Sequence, residues 1–322
     1  MLAIAATLLL IVVSASSPSM AQGLAPLQRE CRAVVLTIDD LPGGGLAAGY
    51  SAQELKAMTG KLLRAIKTNR IPALAVVNEG KLYRQSVLDQ HRADILRLWL
   101  DAGVELGNHT FSHPDINDTP LDQYEADVIR GETVTKSLLA DRGMRLRYFR
   151  HPFLHTGLDL ETKGSFEKFL LERGYTVAPV TIDDDDYIFA DVYARARQRG
   201  DRETMKRVGE AYVPYMEKEF EFYERLSRDV LGYELPQILL IHASMLNGDY
   251  LDRLARMIRN RGYNFVPLEQ ALKDGAYGLP DDYVGRRGFS WLGRWAWTKG
   301  MKPIPQPDTP DFIMKKYNEF FK

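Results

Sequence analysis

Ala33-Val34-Val35-Leu36-Thr37-Ile38-Asp39-Asp40 is the stretch from which the fold is read. Its apolar and β-branched residues lack the polar alternation of a half-exposed strand, so it reads as a strand buried on both faces. It stops at two adjacent carboxylates, and Leu41-Pro42-Gly43-Gly44-Gly45 then opens a loop. Ser51 with Glu54 three residues on has capping-box spacing and predicts a helix running to about Asn69.

The same alternation recurs downstream. Pro72 to Val77 reads as a second strand, Ser86 to Ala102 as a helix, and Val104 to Leu106 as a third strand that delivers His109. Leu121 to Leu139 is one amphipathic helix, and Leu146 to Phe149 is a strand ending at Arg150. Glu167 to Glu172 is helical, and Tyr175 to Ile182 is a strand ending in the run Asp183 to Asp186. A long charged helical stretch follows from about Ala190 to Leu231; it reads as an insertion at about 188–235. Ile238 to Ile241 is a strand ending at His242, followed by a helix at Tyr250 to Arg261, a short strand at Asn264 to Val266 and a helix at Leu268 to Lys273. Strands alternating with helices predict a single α/β domain with a parallel sheet and right-handed crossovers, open or closed. Asp39, Asp40, His109, Arg150, Asp183 to Asp186 and His242 all fall at strand C-termini, the edge where a β/α barrel carries its active site.

Within Gly107-Asn108-His109-Thr110-Phe111-Ser112-His113-Pro114, two histidines stand four apart. One helical turn would put both imidazoles on one face. Pro114 disfavours the α conformation at His113, so a short turn or loop is expected. Alone this pair is a weak signal, more readily read as solvated loop histidines. With Asp39-Asp40 it makes a two-His-one-carboxylate site that leaves coordination positions open for water and substrate.

Composition sets the class. The 322 residues are 45% hydrophobic and 26% charged, with 42 basic and 43 acidic side chains. That is ordinary globular composition, with no charge excess to suggest a nucleic-acid partner or an electrostatically held membrane protein. Residues 1–21 carry no charged side chain, Leu2 to Val13 is apolar but for Thr7, and Ser19-Met20-Ala21 has the small-x-small form of a cleavage site. This reads as a secretory signal peptide cut after Ala21, giving a periplasmic or secreted protein; an uncleaved N-terminal anchor is the alternative. Cys31 is the only cysteine, so no intramolecular disulfide supports the export reading. The domain proper is expected over 22–277. The extension 278–322 carries Trp291, Trp295 and Trp297 and prolines 303, 305, 307 and 310. Such a tail wraps its domain and buries the indoles, or stacks them on sugar rings.

These residues resemble the polysaccharide deacetylases of the NodB-homology type, carbohydrate esterase family four, in order over about Val34 to Leu272. Thr37-Ile38-Asp39-Asp40 resembles the family's TFDD motif with Ile for Phe, and His109-Thr110-Phe111-Ser112-His113 its H-[ST]-x-x-H motif. Arg150-His151-Pro152-Phe153 resembles RxPF, Asp183 to Tyr187 resembles D-x-x-D-W with Tyr for Trp, and Leu240-Ile241-His242 fits L-x-H. The resemblance implies a distorted (β/α) barrel with fewer than eight regular repeats. It implies a divalent metal, Zn2+ with Co2+ or Ni2+ as alternatives, held by Asp40, His109 and His113. Asp39 would be the general base and His242 the general acid, with Arg150 holding Asp39 and Asp186 tuning His242. The Phe153 N–H would face the oxyanion, and Tyr187 and Leu240 would line the acetyl pocket. The substrate would be an N- or O-acetylated carbohydrate. Two other functions stay open: an amide hydrolase of the same fold acting on small cyclic amides, and a catalytically silent sugar-binding protein. The family usually has a glycine soon after RxPF, and here Leu154, His155 and Thr156 intervene before Gly157.

Overall fold

A computed structural model describes residues Arg32–Glu319; the signal-peptide reading and Cys31 lie outside the described residues. The strands are β1 Arg32–Leu41, β2 Ala73–Val77, β3 Tyr83–Arg84, β4 Val87–Leu88, β5 Glu105–Asn108, β6 Tyr148–Phe149, β7 Thr176–Val177, β8 Gln237–His242 and β9 Tyr263–Phe265. The helices are α1 Ala52–Thr68, α2 Gln90–Asp101, α3 Leu121–Arg130, α4 Thr133–Ala140, α5 Leu160–Glu172, α6 Asp186–Gln198, α7 Arg202–Leu231, α8 Met245–Asn260, α9 Leu268–Ala271, α10 Trp291–Thr298 and α11 Asp311–Asn318.

Seven strands form one parallel sheet in the order β7-β6-β5-β2-β1-β8, with β9 beside the start of β1. Among the described residues its two ends meet where Ile182, beyond β7, bridges Leu239 of β8. Thr181 and Ile182 donate backbone N–H groups to Ile238 O, and Leu240 N–H donates to Ile182 O. The result is the distorted barrel expected from the motifs, a half-barrel of parallel strands surrounded by helices. Two side-chain layers follow from strand alternation. Val35, Leu74, Val76, Tyr148, Ala178 and Ile238 fill the inner floor, while Leu36, Ile38, Leu239 and Ile241 face the helices.

Several element boundaries differ from the sequence reading. Ser51 and Glu54 form the capping box at α1 as expected. The helix read over Ser86 to Ala102 begins only at Gln90, because the β3–β4 hairpin precedes it and Asp89 caps it. The single helix read over Leu121 to Leu139 is two, broken at Gly131. The reason is packing: a Cβ at Gly131 would stand 2.6 Å from Thr110 C and 2.8 Å from Phe111 N, so the chain turns where the histidine loop presses on it. The stretch read as an insertion is helical and forms α6 and α7, and α6 starts at the site itself with Asp186 and Tyr187. In the extension Trp295 is buried against Tyr277, Trp291 is partly buried, and Trp297 is exposed. Among the described residues no helix is long and apolar enough to cross a membrane.

Candidate active site

β1 brings the two carboxylates to one place by breaking its own alternation. Consecutive strand residues point to opposite faces. Here the register with β2 shifts between Ile38 and Leu41, and Asp40 has φ +75°. This bulge turns Asp40 back towards the cavity that Asp39 already faces, a device that re-aims side chains beside active sites. Across the sheet, Asp39 is the register partner of His242 on β8.

His109 follows β5, and its N–H donates to Val77 O. The pair His109 and His113 is not on a helical turn: the segment is a loop with positive φ at Thr110 and His113. Thr110 Oγ1 accepts from His113 N at 3.0 Å. Asp127 of α3 accepts from Phe111 N and Ser112 N, both at 2.9 Å. The loop therefore holds the imidazoles with ring centroids 4.8 Å apart, nearly perpendicular. Asp40, His109 and His113 offer ligand atoms all within 4.8 Å of one another. Asp40 Oδ1 lies 3.9 Å from His109 Nε2 and 3.8 Å from His113 Nε2. His109 Nδ1 is 2.8 Å from Arg150 O, which fixes the tautomer and turns the Nε2 lone pair towards Asp40.

The fit of a divalent cation rests on this donor set and on two buried atoms. Asp39 Oδ1 is buried without a hydrogen-bond partner, and the buried Asp40 Oδ1 is met by the Lys81 ammonium, a cation already drawn to this point. Burial pushes both imidazoles towards the neutral form, His109 most, so their lone pairs are available. Burial opposes ionisation of Asp40, but the Lys81 ammonium and the nearby imidazoles hold it well below the usual carboxylate range. Lys81 Nζ is 2.9 Å from Asp40 Oδ1.

Beside these three residues, Asp39 is 2% exposed, with its Oδ2 3.8 Å from His109 Nε2. Burial raises its pKa against the lowering effect of Arg150 and His242. Arg150 Nη1 reaches Asp39 Oδ2 at 3.4 Å, and its Nη2 donates to Thr37 Oγ1 at 2.8 Å. His242 Nδ1 is 2.6 Å from Asp186 Oδ1. Asp186 Oδ2 accepts from His242 N at 2.8 Å and Asn247 Nδ2 at 2.7 Å. Burial pushes the His242 pKa down, but the Asp186 charge and hydrogen bond outweigh it and raise it to about 9.

The other expected residues surround this centre. Phe153 is 53% exposed at φ +56°, and its ring stands 4.5 Å from that of His113. Tyr187 is 43% exposed, with its ring 6.1 Å from His242. Leu240 is buried in an apolar cluster with Leu154, Val180 and Trp291. His151 points away, edge-on to Phe149 and Phe166. His155 pairs with Asp115 at 2.7 Å.

Sequence reasoning missed Lys81, Asn78 and Asn247. Asn78, whose side chain donates to His109 O, carries a signal like the others: a polar residue directly after a strand. Lys81 and Asn247 carry none, being a lysine in a short turn and an asparagine inside a helix.

Residues 27–163 match the polysaccharide deacetylase family model. That span includes Asp39, Asp40, His109, His113 and Arg150, and its family is the one the five motifs resemble. No curated protein matches. Among solved structures, the chain is similar to the chitin deacetylase from the fungal pathogen Colletotrichum lindemuthianum at 22% identity, over 78% of this chain and 90% of that one, with TM-score 0.50. It is also similar to a peptidoglycan deacetylase from Bacillus subtilis, at 18% identity over 76% of this chain and 93% of that one, TM-score 0.46. A carbohydrate esterase family 4 pseudoenzyme from Bacillus anthracis is similar at 14% identity over 76% and 66%, TM-score 0.47.

Proposed function

We propose that this polysaccharide-deacetylase-like chain is an exported, metal-dependent hydrolase that removes acetyl groups from an N- or O-acetylated saccharide. The observation that carries the reading is the opposition of two intact halves: the Asp40, His109 and His113 donors on one side, and the His242–Asp186 pair on the other, with Asp39 between. Asp40, His109 and His113 hold the cation, for which Zn2+ is the first choice and Co2+ or Ni2+ the alternatives. When bound, it polarises the acyl carbonyl and acidifies water.

The remaining work falls to the chain's own residues. Asp39 takes the proton from the attacking water through Oδ1, the oxygen with no other partner. Arg150 fixes the Asp39 carboxylate and ties it to Thr37, so its orientation does not change on protonation. His242 carries a proton on the nitrogen not bonded to Asp186 and gives it to the departing amine or alkoxide. The Phe153 N–H is assigned to the developing oxyanion. The exposed rings of Phe153 and Tyr187 flank the opening and suit the faces of a sugar.

The deciding experiment is acetate release from chitooligosaccharides, peptidoglycan, acetylxylan and cyclic ureides, with and without added zinc. Zinc-dependent acetate from an acetylated glycan supports the reading. Ring opening of ureides without acetate release favours the cyclic-amide alternative. Binding without turnover of any of these favours a silent carbohydrate-binding protein.

A further inference from the structure

We infer that Trp291, carried in by the C-terminal extension, walls the acyl pocket and sets the acyl length the site accepts. This rests on the deacetylase reading. Leu240 stands two residues before His242 on β8, on the same face of the strand. An acyl carbonyl held between the triad and His242 sends its alkyl group down that face towards Leu240. The apolar neighbours there are Leu154, Val180 and Trp291, and Trp291 is the one member that is not fully buried.

The indole is braced rather than draped. Its backbone N–H donates to Val180 O at 2.7 Å. The fully buried Arg294 guanidinium lies 4.2 Å from its ring centroid. Arg294 in turn donates to Leu154 O, to Thr156 Oγ1 at 2.9 Å and to Asp281 Oδ2 at 3.3 Å. Upstream, Gly288 passes so close to the loop carrying Phe153 that a Cβ would sit 1.8 Å from Phe153 O. The extension is thereby locked to the loop after β6 and to the segment after β7. An indole held this way cannot swing aside for a longer chain. Tyr187 is not a member of this cluster; it is exposed, with ring contacts to His242 and Tyr317.

The test is kcat/KM on acetyl, propionyl and butyryl esters of one alcohol, for wild type, Trp291→Ala, Trp291→Phe and Tyr187→Ala, with metal content and Tm measured alongside. Each added methylene is worth about ten- to two-hundred-fold in an apolar pocket. Trp291→Ala is expected to raise the butyryl-to-acetyl ratio by about tenfold or more, and Trp291→Phe to raise the propionyl ratio by less. Tyr187→Ala is expected to leave both ratios where they were. Should Trp291→Ala fail to fold, the Phe variant decides. Unmoved ratios in a folded, metal-bearing Trp291 variant overturn the inference, as does a shift in Tyr187→Ala alone; in either case the deacetylase reading survives. No acyl release by metal-loaded wild type overturns that reading and the inference with it.

Discussion

At Asp40 a non-glycine residue holds φ +75°, a conformation that Asp tolerates better than most residues. The gain is that adjacent carboxylates reach one cavity, where the proposed mechanism gives them different tasks. Asp40→Ala or His109→Ala is expected to abolish stoichiometric metal and activity together, because three protein ligands are the usual minimum. Elemental analysis of the purified variants checks this; retained metal would remove the ligand assignment. Asp39→Asn is expected to keep the metal while turnover falls by about 10²–10⁴, since an amide accepts no proton from water. His242 gives a pH signature. Asp186 raises its pKa to about 9, so the acid form persists through neutral pH and is lost as pH rises through that value. Asp186→Asn removes the charge that sustains it, and the alkaline limb of kcat/KM on amides is expected to move to lower pH. His242→Ala should cost much more on amides than on aryl esters, whose leaving group departs unprotonated; equal losses would contradict the acid role.

Elements place these residues by contacts that their own sequences do not announce. The break between α3 and α4 lets Gly131 lie against the Thr110–Phe111 backbone, while Asp127 of α3 accepts that loop's N–H groups. Glu79, fully buried, accepts from Val134 N at 3.0 Å and Thr135 N at 2.6 Å at the start of α4. Negative charge is stabilising at a helix N-terminus, and this anchor also fixes the turn carrying Lys81. Gly131→Ala is therefore expected to destabilise the fold by about 1–3 kcal/mol, the usual cost of overpacking. It should also weaken metal binding by displacing the histidine loop. Denaturant melts and a metal titration measure the two effects; a stability loss with unchanged metal affinity would show that the loop does not depend on this contact.

Over the whole molecule, buried acids tie α7 and the C-terminal segment to the end of the sheet. Glu219 of α7 is fully buried, and Gln306 Nε2 donates to it at 3.0 Å and to Asp183 O at 2.7 Å. Burial lifts the Glu219 pKa from 4.5 to about 8, and burial with the Asp186 charge raises Asp184 as well. The folded protein thus holds protons that the unfolded chain releases. This stabilisation is complete below the unfolded value and is lost as pH rises to the folded one. The Glu219 contribution to stability is expected to fall between about pH 5 and 8, so Glu219→Gln, which stays neutral, should lose less Tm than wild type across that interval. An unchanged slope in thermal melts of the variant would remove Glu219 as a source.

Local order was legible in the sequence. The β-branched run into Asp39-Asp40 placed β1, Ser51 and Glu54 placed the start of α1, and polar residues after strands pointed to Asp39, Asp40, His109, Arg150 and His242. These signals depend on neighbours in the chain, through alternation, capping and turn chemistry. What depends on distant partners was not legible. The bulge at Asp40 is a register shift against β2, the bend at Gly131 answers a loop twenty residues earlier, and the two ends of the sheet are joined where Ile182 bridges Leu239. The three tryptophans of the extension look alike in sequence, yet one is buried, one walls the apolar cluster and one is exposed. Which of them meets the site is decided by the contacts of Arg294 and Gly288 with residues well over a hundred positions away, and no local pattern encodes those.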